Sequence, residues 1–209
     1  RSSAMDEDGS DFSFAGQFES YLYVTKATLA DKIKSVWLSS FSERVFEYRK
    51  INNLQQSFGI AVIIQEMIDA KVAGVAFGIN PSNGDRDAKV ISAVFGLGEG
   101  LVSGELNSDN FILKDGKIAS QIAVKNHKII LDSECFEGTK KVEVAKEESE
   151  SPALSEKQIF EIEKVLVKCY EEYGRPQDIE FAIVDDKIFL LHARPVTNLH
   201  KIADIRGEY

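Results

Sequence analysis

An α+β fold, with an antiparallel sheet and flanking helices, is what this sequence predicts, on three observations. Short β-branched segments come in adjacent pairs around turn formers, at 73–79 with 89–95, within 110–118, and within 178–195. Such short connections can join only antiparallel neighbours, because a parallel pair needs a long crossover. One stretch, 155–173, instead carries helical periodicity with a start signal and a stop signal.

In chain order, residues 1–20 are rich in Ser, Asp and Gly with Phe12, Phe14 and Phe18 interspersed, and read as an acidic loop pinned by aromatics. Asp6, Glu7, Asp8 and Asp11 read as a solvated cluster rather than a metal site. Over 27–52, Leu29, Ile33, Val36, Trp37, Phe41, Val45 and Tyr48 return at helical spacing. That predicts one amphipathic helix with the whole stripe in the core, closed by Asn52–Asn53. Residues 60–68 are an apolar run expected as a buried strand, interrupted by Gln65–Glu66. A polar pair there is either a strand end reaching solvent or a binding hinge.

The pair 73–79 and 89–95 is joined by Asn80-Pro-Ser-Asn-Gly-Asp-Arg-Asp87, dense in turn formers. Gly96-Leu-Gly-Glu-Gly100 lacks the spacing of a dinucleotide fingerprint, and the chain has no Gly-x4-Gly-Lys-Ser/Thr loop. Asp115-Gly116 marks a hairpin turn, after which 122–124 and 129–131 have strand character. His127, beside Lys125 and Lys128, reads as exposed. The polar stretch 132–153 reads as a surface excursion without chemistry. Ser155 with Gln158 forms a capping-box pattern, Leu154 with Ile159 a hydrophobic staple, and Ile159, Ile162, Leu166, Cys169 and Tyr173 the buried stripe. Gly174 and Pro176 end the helix.

The last hairpin, Asp178 to Pro195, turns at Asp185-Asp186. With a three-residue connection, Asp185 to Lys187, Glu180 falls opposite His192 and Arg194 lies one step along the same face. Ile179, Phe181, Ile183, Phe189 and Leu191 then form the apolar face. A two-residue turn would send Glu180 to the other face. A carboxylate, an imidazole and a guanidinium on one face suit a metal-bound polyphosphate, since magnesium prefers oxygen donors and a guanidinium grips phosphate in a bidentate way. Spacing alone leaves a merely solvated hairpin equally open.

The 209 residues suffice for one or two domains with a proper core, and 44% hydrophobic and 28% charged residues match an ordinary globular protein. A formal net charge of −9 opposes general nucleic-acid binding, which needs a basic face. Cys135 and Cys169 give neither a disulfide framework nor zinc spacing, so a reducing cytoplasm is the expectation. No apolar run is long enough to cross a bilayer, and no membrane partner is expected.

Four segments occur in order: Arg1-Ser-Ser-Ala4 continuing to Ser13-Phe-Ala-Gly-Gln17; Gln65-Glu-Met67 with Ala73-Gly-Val-Ala-Phe77; Gly96-Leu-Gly-Glu-Gly-Leu-Val-Ser-Gly104; and Ile179-Glu-Phe181 with Leu190-Leu-His-Ala-Arg-Pro195. Together they resemble the nucleotide-binding domain of the phosphoenolpyruvate synthase and pyruvate phosphate dikinase family, which includes rifampin phosphotransferases. The resemblance implies an ATP-grasp-like fold, in which two α+β subdomains clasp ATP and Mg²⁺. It implies residues 1–60 as a remnant of an incomplete first subdomain, 61–197 as the second, and 198–209 as the start of a linker.

By the same resemblance, Arg1 and Arg194 neutralise phosphate charge, Gly16 belongs to a backbone flap, and Gln65, Glu66 and Met67 hold adenine. Glu180 and His192 hold magnesium beside the phosphates, with Glu99 either orienting the site or fixing its loop. The family usually has glutamine at the position of His192, and histidine can ligate a cation only through a neutral ring nitrogen. Metal-dependent activity is therefore expected to decline as pH falls through the titration of His192. The implied reaction passes a phosphoryl group from ATP to a histidine on a further domain and then to pyruvate. A drug or glycan phosphotransferase and a noncatalytic module are the alternatives. His127, His192 and His200 lie in none of the phosphohistidine contexts, so the chain is expected to be an excerpt without turnover, and with an incomplete first subdomain its ATP binding is expected to be weak or absent.

Overall fold

The computed structural model describes residues 1–4, 16–54, 59–135 and 137–196. The chain divides into two compact units, Arg1–Met67 with Leu131–Thr139, and Ile68–Ile130 with Lys140–Tyr209. The acidic cluster at 6–11, Phe12 and Phe14, His200 and the expected linker 198–209 lie outside the described residues.

In the first unit, β1 (Ser2–Ala4) pairs antiparallel with β2 (Ile60–Val62), Ser3 opposite Ala61. Ala4, Phe18, Val36, Val45 and Ile60 form its core. The single helix expected over 27–52 is two, α1 (Leu29–Ser39) and α2 (Glu43–Ile51). Serines make the break. Ser39 and Ser40 donate their hydroxyls to the carbonyls of Val36 and Trp37, each at 2.7 Å, and Ser42 takes an extended backbone and accepts from the Val45 amide at 3.4 Å. A hydroxyl that bonds the local backbone competes with helix continuation and starts a new helix as its N-cap.

The helical phase is reset there, so the apparent stripe is not one face. Val36 and Val45 are buried, whereas Trp37 and Phe41 are 50% and 53% exposed. The run 60–68 is likewise a strand only over Ile60–Val62, which is as far as the three-residue β1 can pair with it. Ile64 beyond it is exposed.

The remaining elements, in the second unit apart from the terminal residues Leu131 and Thr139 of β7 and β8, are in chain order β3 (Val72–Phe77), β4 (Lys89–Phe95), α3 (Glu99–Val102), β5 (Asp109–Lys114), β6 (Lys117–Gln121), β7 (His127–Leu131), β8 (Thr139–Glu143), α4 (Lys146–Ser149), α5 (Glu156–Tyr173), β9 (Gln177–Val184) and β10 (Lys187–Pro195). Six strands form one sheet in the order β10-β9-β3-β4-β5-β6, every neighbour antiparallel, and β7 and β8 form a separate two-stranded sheet. The expected pairing of 73–79 with 89–95 is present, Val72 opposite Phe95. So is the hairpin at Asp115-Gly116, both residues at positive φ as its tight turn requires. Residues 122–126 form no strand.

Alternation gives the sheet two faces. One carries Ile179, Phe181, Ile183, Val72, Ala76, Ile91, Phe111 and Leu113, which pack with Ile159, Ile162, Leu166 and Cys169 of α5. The start of α5 is the predicted capping box: the Ser155 hydroxyl accepts from the Gln158 amide at 3.3 Å, and the Gln158 side chain accepts from the Ser155 amide at 2.9 Å. Gly174 ends it at φ 68°. Tyr173, expected in the stripe, is 57% exposed. Burial pushes the Cys169 thiol above its usual range.

The stretch 132–153 is no polar excursion. It contributes β8 and α4 and buries Val144 and Ala153. A buried ion pair anchors it. Asp109 Oδ1 lies 2.6 Å from Lys125 Nζ and accepts the Ala123 amide at 2.9 Å, while Oδ2 accepts the Ala153 amide at 2.7 Å. Lys125 also donates to the Ala123 carbonyl, and its backbone amide donates to the Ser149 carbonyl. Both ionised side chains are at most 1% exposed, a placement stable only with this full set of partners.

Candidate nucleotide and metal site

The hairpin of β9 and β10 turns through two residues, not three. Asp185 and Asp186 both have positive φ, 48° and 62°, and Val184 pairs with Lys187. Two left-handed residues are the turn whose twist matches the flanking strands, and Asp tolerates that conformation. Gln158 of α5 donates to Asp186 Oδ1 at 3.0 Å, so the helix braces the turn. Ile188 and, beyond an irregularity in the pairing, Ala193 pack against the core, rather than Phe189 and Leu191.

Left regular, this register would set His192 opposite Ile179 and on the core face. A bulge between Leu190 and His192 prevents that: Leu190 pairs with Phe181, Leu191 is the extra residue, and His192 pairs with Glu180. Glu180 and His192 therefore do share a face, by a route other than the expected one. Arg194 follows on that face, opposite Asp178.

On this face His192 Nδ1 is 3.7 Å from Glu180 Oε1, beyond hydrogen-bond range but close enough for both atoms to reach one cation, since ligand bonds of about 2.1 Å allow donors up to about 4 Å apart. The Arg194 Nε–H donates to Asp178 Oδ2 at 2.8 Å, with the carboxylate 9% exposed. Burial pushes the Asp178 carboxyl above its usual range, and the Arg194 charge pulls the other way. Asp178 escaped the sequence reading, although its two-residue spacing from Glu180 was the available signal. An oxyanion with an imidazole beside a guanidinium fits a divalent cation carrying phosphate. Among the described residues no group of three or more His, Cys, Asp or Glu could hold a metal by itself, so other donors must complete the shell.

The same face runs on across the sheet, with polar residues on either side of Val75. Glu180 lies opposite Val75, Val75 opposite Ser92, and Ser92 opposite Asn110, whose Oδ1 accepts the Ser92 hydroxyl at 2.6 Å. The glycine-rich segment meets the same face at Gly98: a Cβ there would lie 3.5 Å from Ala73, which pairs with Ala182, two residues from Glu180. Gly96, at φ 75°, bridges to Ile129, whose carbonyl would be 2.2 Å from any added Cβ. Glu99 is exposed in the first turn of α3.

The remaining predicted residues belong to the first unit. Arg1 is half-buried, its backbone exchanging hydrogen bonds with Ile63 at 2.9 and 2.8 Å. Gly16 is exposed at φ 70°, with open space where a side chain would be. Gln65 and Glu66 are exposed and Met67 half-buried, in a segment without regular structure. His127 is exposed, as expected.

Residues 1–206 match the family described as pyruvate phosphate dikinase, AMP/ATP-binding domain. The chain belongs to that family. Similar proteins include the phosphoenolpyruvate synthase of Pyrococcus furiosus, 37% identical over 97% of this chain and 26% of the relative. The rifampicin phosphotransferase of Bacillus cereus is 34% identical over 98% and 24%, and the prodigiosin synthesizing transferase PigC of Serratia marcescens 37% identical over 96% and 23%. The chain thus spans about a quarter of the length of the relatives it matches. Family and architecture agree: this is an ATP-grasp-like, AMP/ATP-binding domain built on a six-stranded antiparallel sheet. No helix of the described residues is long and apolar enough to cross a membrane.

Proposed function

We propose that the chain is the ATP- and Mg²⁺-binding part of a phosphoenolpyruvate synthase-type dikinase. The observation that carries this is the cross-strand set Glu180, His192, Asp178 and Arg194 on one sheet face. Glu180 and His192 hold the cation. Arg194, oriented by Asp178, meets phosphate oxygens, and Arg1 and Gly16 serve the phosphates from their own unit. Gln65, Glu66 and Met67 contact adenine, where exposed backbone and a polarisable thioether suit a purine. The bound cation, when present, supplies charge neutralisation and polarises the phosphoryl oxygens.

In a protein of the relatives' full length, the phosphoryl group passes to a histidine of another domain and then to pyruvate, in the cytoplasm. The chain alone lacks turnover. A second reading, phosphorylation of a drug, is favoured by the similarity to the rifampicin phosphotransferase. Calorimetry of ATP with and without Mg²⁺, on a full-length protein carrying this domain and on its E180A and R194A variants, tests the shared part. Magnesium-dependent binding lost in both variants supports the clamp; binding indifferent to both removes it. Pyruvate and rifampicin offered in parallel then separate the acceptors.

A further inference from the structure

Building on the reading of Glu180 and His192 as cation ligands, we propose that this site prefers first-row transition dications, for which Mn²⁺ serves as the probe, to Mg²⁺. The donor set carries the argument. Glu180 offers an anionic oxygen, which suits either metal. His192 Nδ1, 3.7 Å away, offers an imidazole nitrogen within reach of the same ion. Mg²⁺ is hard, holds its water tightly and takes oxygen donors almost exclusively. Imidazole binds the first-row transition ions more strongly than it binds Mg²⁺, and softer donors shift selectivity toward them.

The location strengthens the case. The His192 side chain is only 15% exposed, and its ring is held on the Glu180 face by the bulge at Leu191. Declining the cation is not a matter of swinging away into solvent. Asp178 and Arg194 are the neighbouring charges on the same two strands, and they engage each other at 2.8 Å. The Glu180–His192 pair is a mixed oxygen–nitrogen donor set on this face of the hairpin. No described group of three or more such side chains completes a metal cage, so phosphate oxygens and water fill the remaining positions. Those donors are common to both metals and leave the discrimination to His192.

The test is Mn²⁺ binding to the full-length protein with β,γ-methylene ATP, followed by electron paramagnetic resonance and displaced by Mg²⁺. Wild type, H192Q and E180Q are compared, the first also with ¹⁵N-labelled histidine. The expected result is electron–nuclear coupling to a nitrogen that changes on histidine labelling and vanishes in H192Q. With it comes a Mn²⁺-over-Mg²⁺ preference above that of the nucleotide alone, which in H192Q falls back to the nucleotide's own ratio. Bound Mn²⁺ that weakens in E180Q but shows no histidine nitrogen, with equal preference in wild type and H192Q, overturns the inference and leaves the clamp standing. Binding indifferent to both substitutions overturns the clamp as well. The labelled wild-type spectrum needs no variant to fold.

Discussion

His192 stands opposite Glu180, Nδ1 to Oε1 at 3.7 Å, because one extra residue, Leu191, interrupts the pairing of β9 with β10. The two-residue turn at Asp185-Asp186 alone would have turned the imidazole to the core. With Leu191 present, the two-residue turn needs the bulge to bring His192 to the Glu180 face.

Deletion of Leu191 should keep the partners and remove the bend. With the bulge gone, regular pairing again puts the histidine beside Glu180 and the arginine beside Asp178, but with less local twist. The variant is expected to fold, to show unchanged cross-strand contacts by NMR, and to bind metal–nucleotide more weakly by calorimetry. Unaltered affinity would make the bulge structurally incidental.

Asp178 should leave a pH signature. Its folded pKa is raised from the ordinary value of 3.8, chiefly by burial, with Arg194 opposing. A raised folded pKa means the protonated form is favoured on folding. Its contribution is fully present below the unfolded pKa and is lost as pH rises through the folded one. Urea unfolding of wild type and D178N across the acid range should show wild type losing stability relative to D178N as pH climbs above about 4. A constant difference would contradict the assignment.

The Asp109–Lys125 pair should be costly to break. K125M leaves a carboxylate buried without its cation, and such losses are typically about 3–5 kcal/mol. Thermal and urea unfolding should show a drop of that order, and limited proteolysis should find new cleavage near 144–153, since Asp109 holds the Ala153 amide. Stability within experimental error of wild type would show that the pair is not the anchor.

Gly96→Ala should cost about 1–3 kcal/mol for its left-handed backbone alone, with further loss from the collision with the Ile129 carbonyl. Hydrogen exchange at Leu97, whose amide bonds that carbonyl at 2.8 Å, should accelerate. Protection equal to wild type would mean that the bridge re-forms around the methyl group.

The hairpins at 115–116 and 185–186, the strand pair 72–77 with 89–95, and α5 with both its ends were legible because their signals are local. A turn needs two permissive residues, and a capping box needs Ser155 and Gln158 three apart. The break at Ser40–Ser42 was missed because hydrophobic periodicity ran across it by coincidence, while hydroxyl–backbone bonds decided the outcome. Asp109 and Lys125 were missed because two charges 16 residues apart look solvated until the chain brings them together.

For the site, the sequence by itself determined that Glu180, His192 and Arg194 belong to one hairpin, that its turn lies at Asp185-Asp186, and which family the chain resembles. Only the tertiary structure decided the register, the bulge at Leu191, the partnership of Asp178 with Arg194 and the two faces of the sheet. The physical reason is that a strand's alternation fixes faces only relative to its own register. That register is settled by what the faces pack against, here α5 on the apolar side.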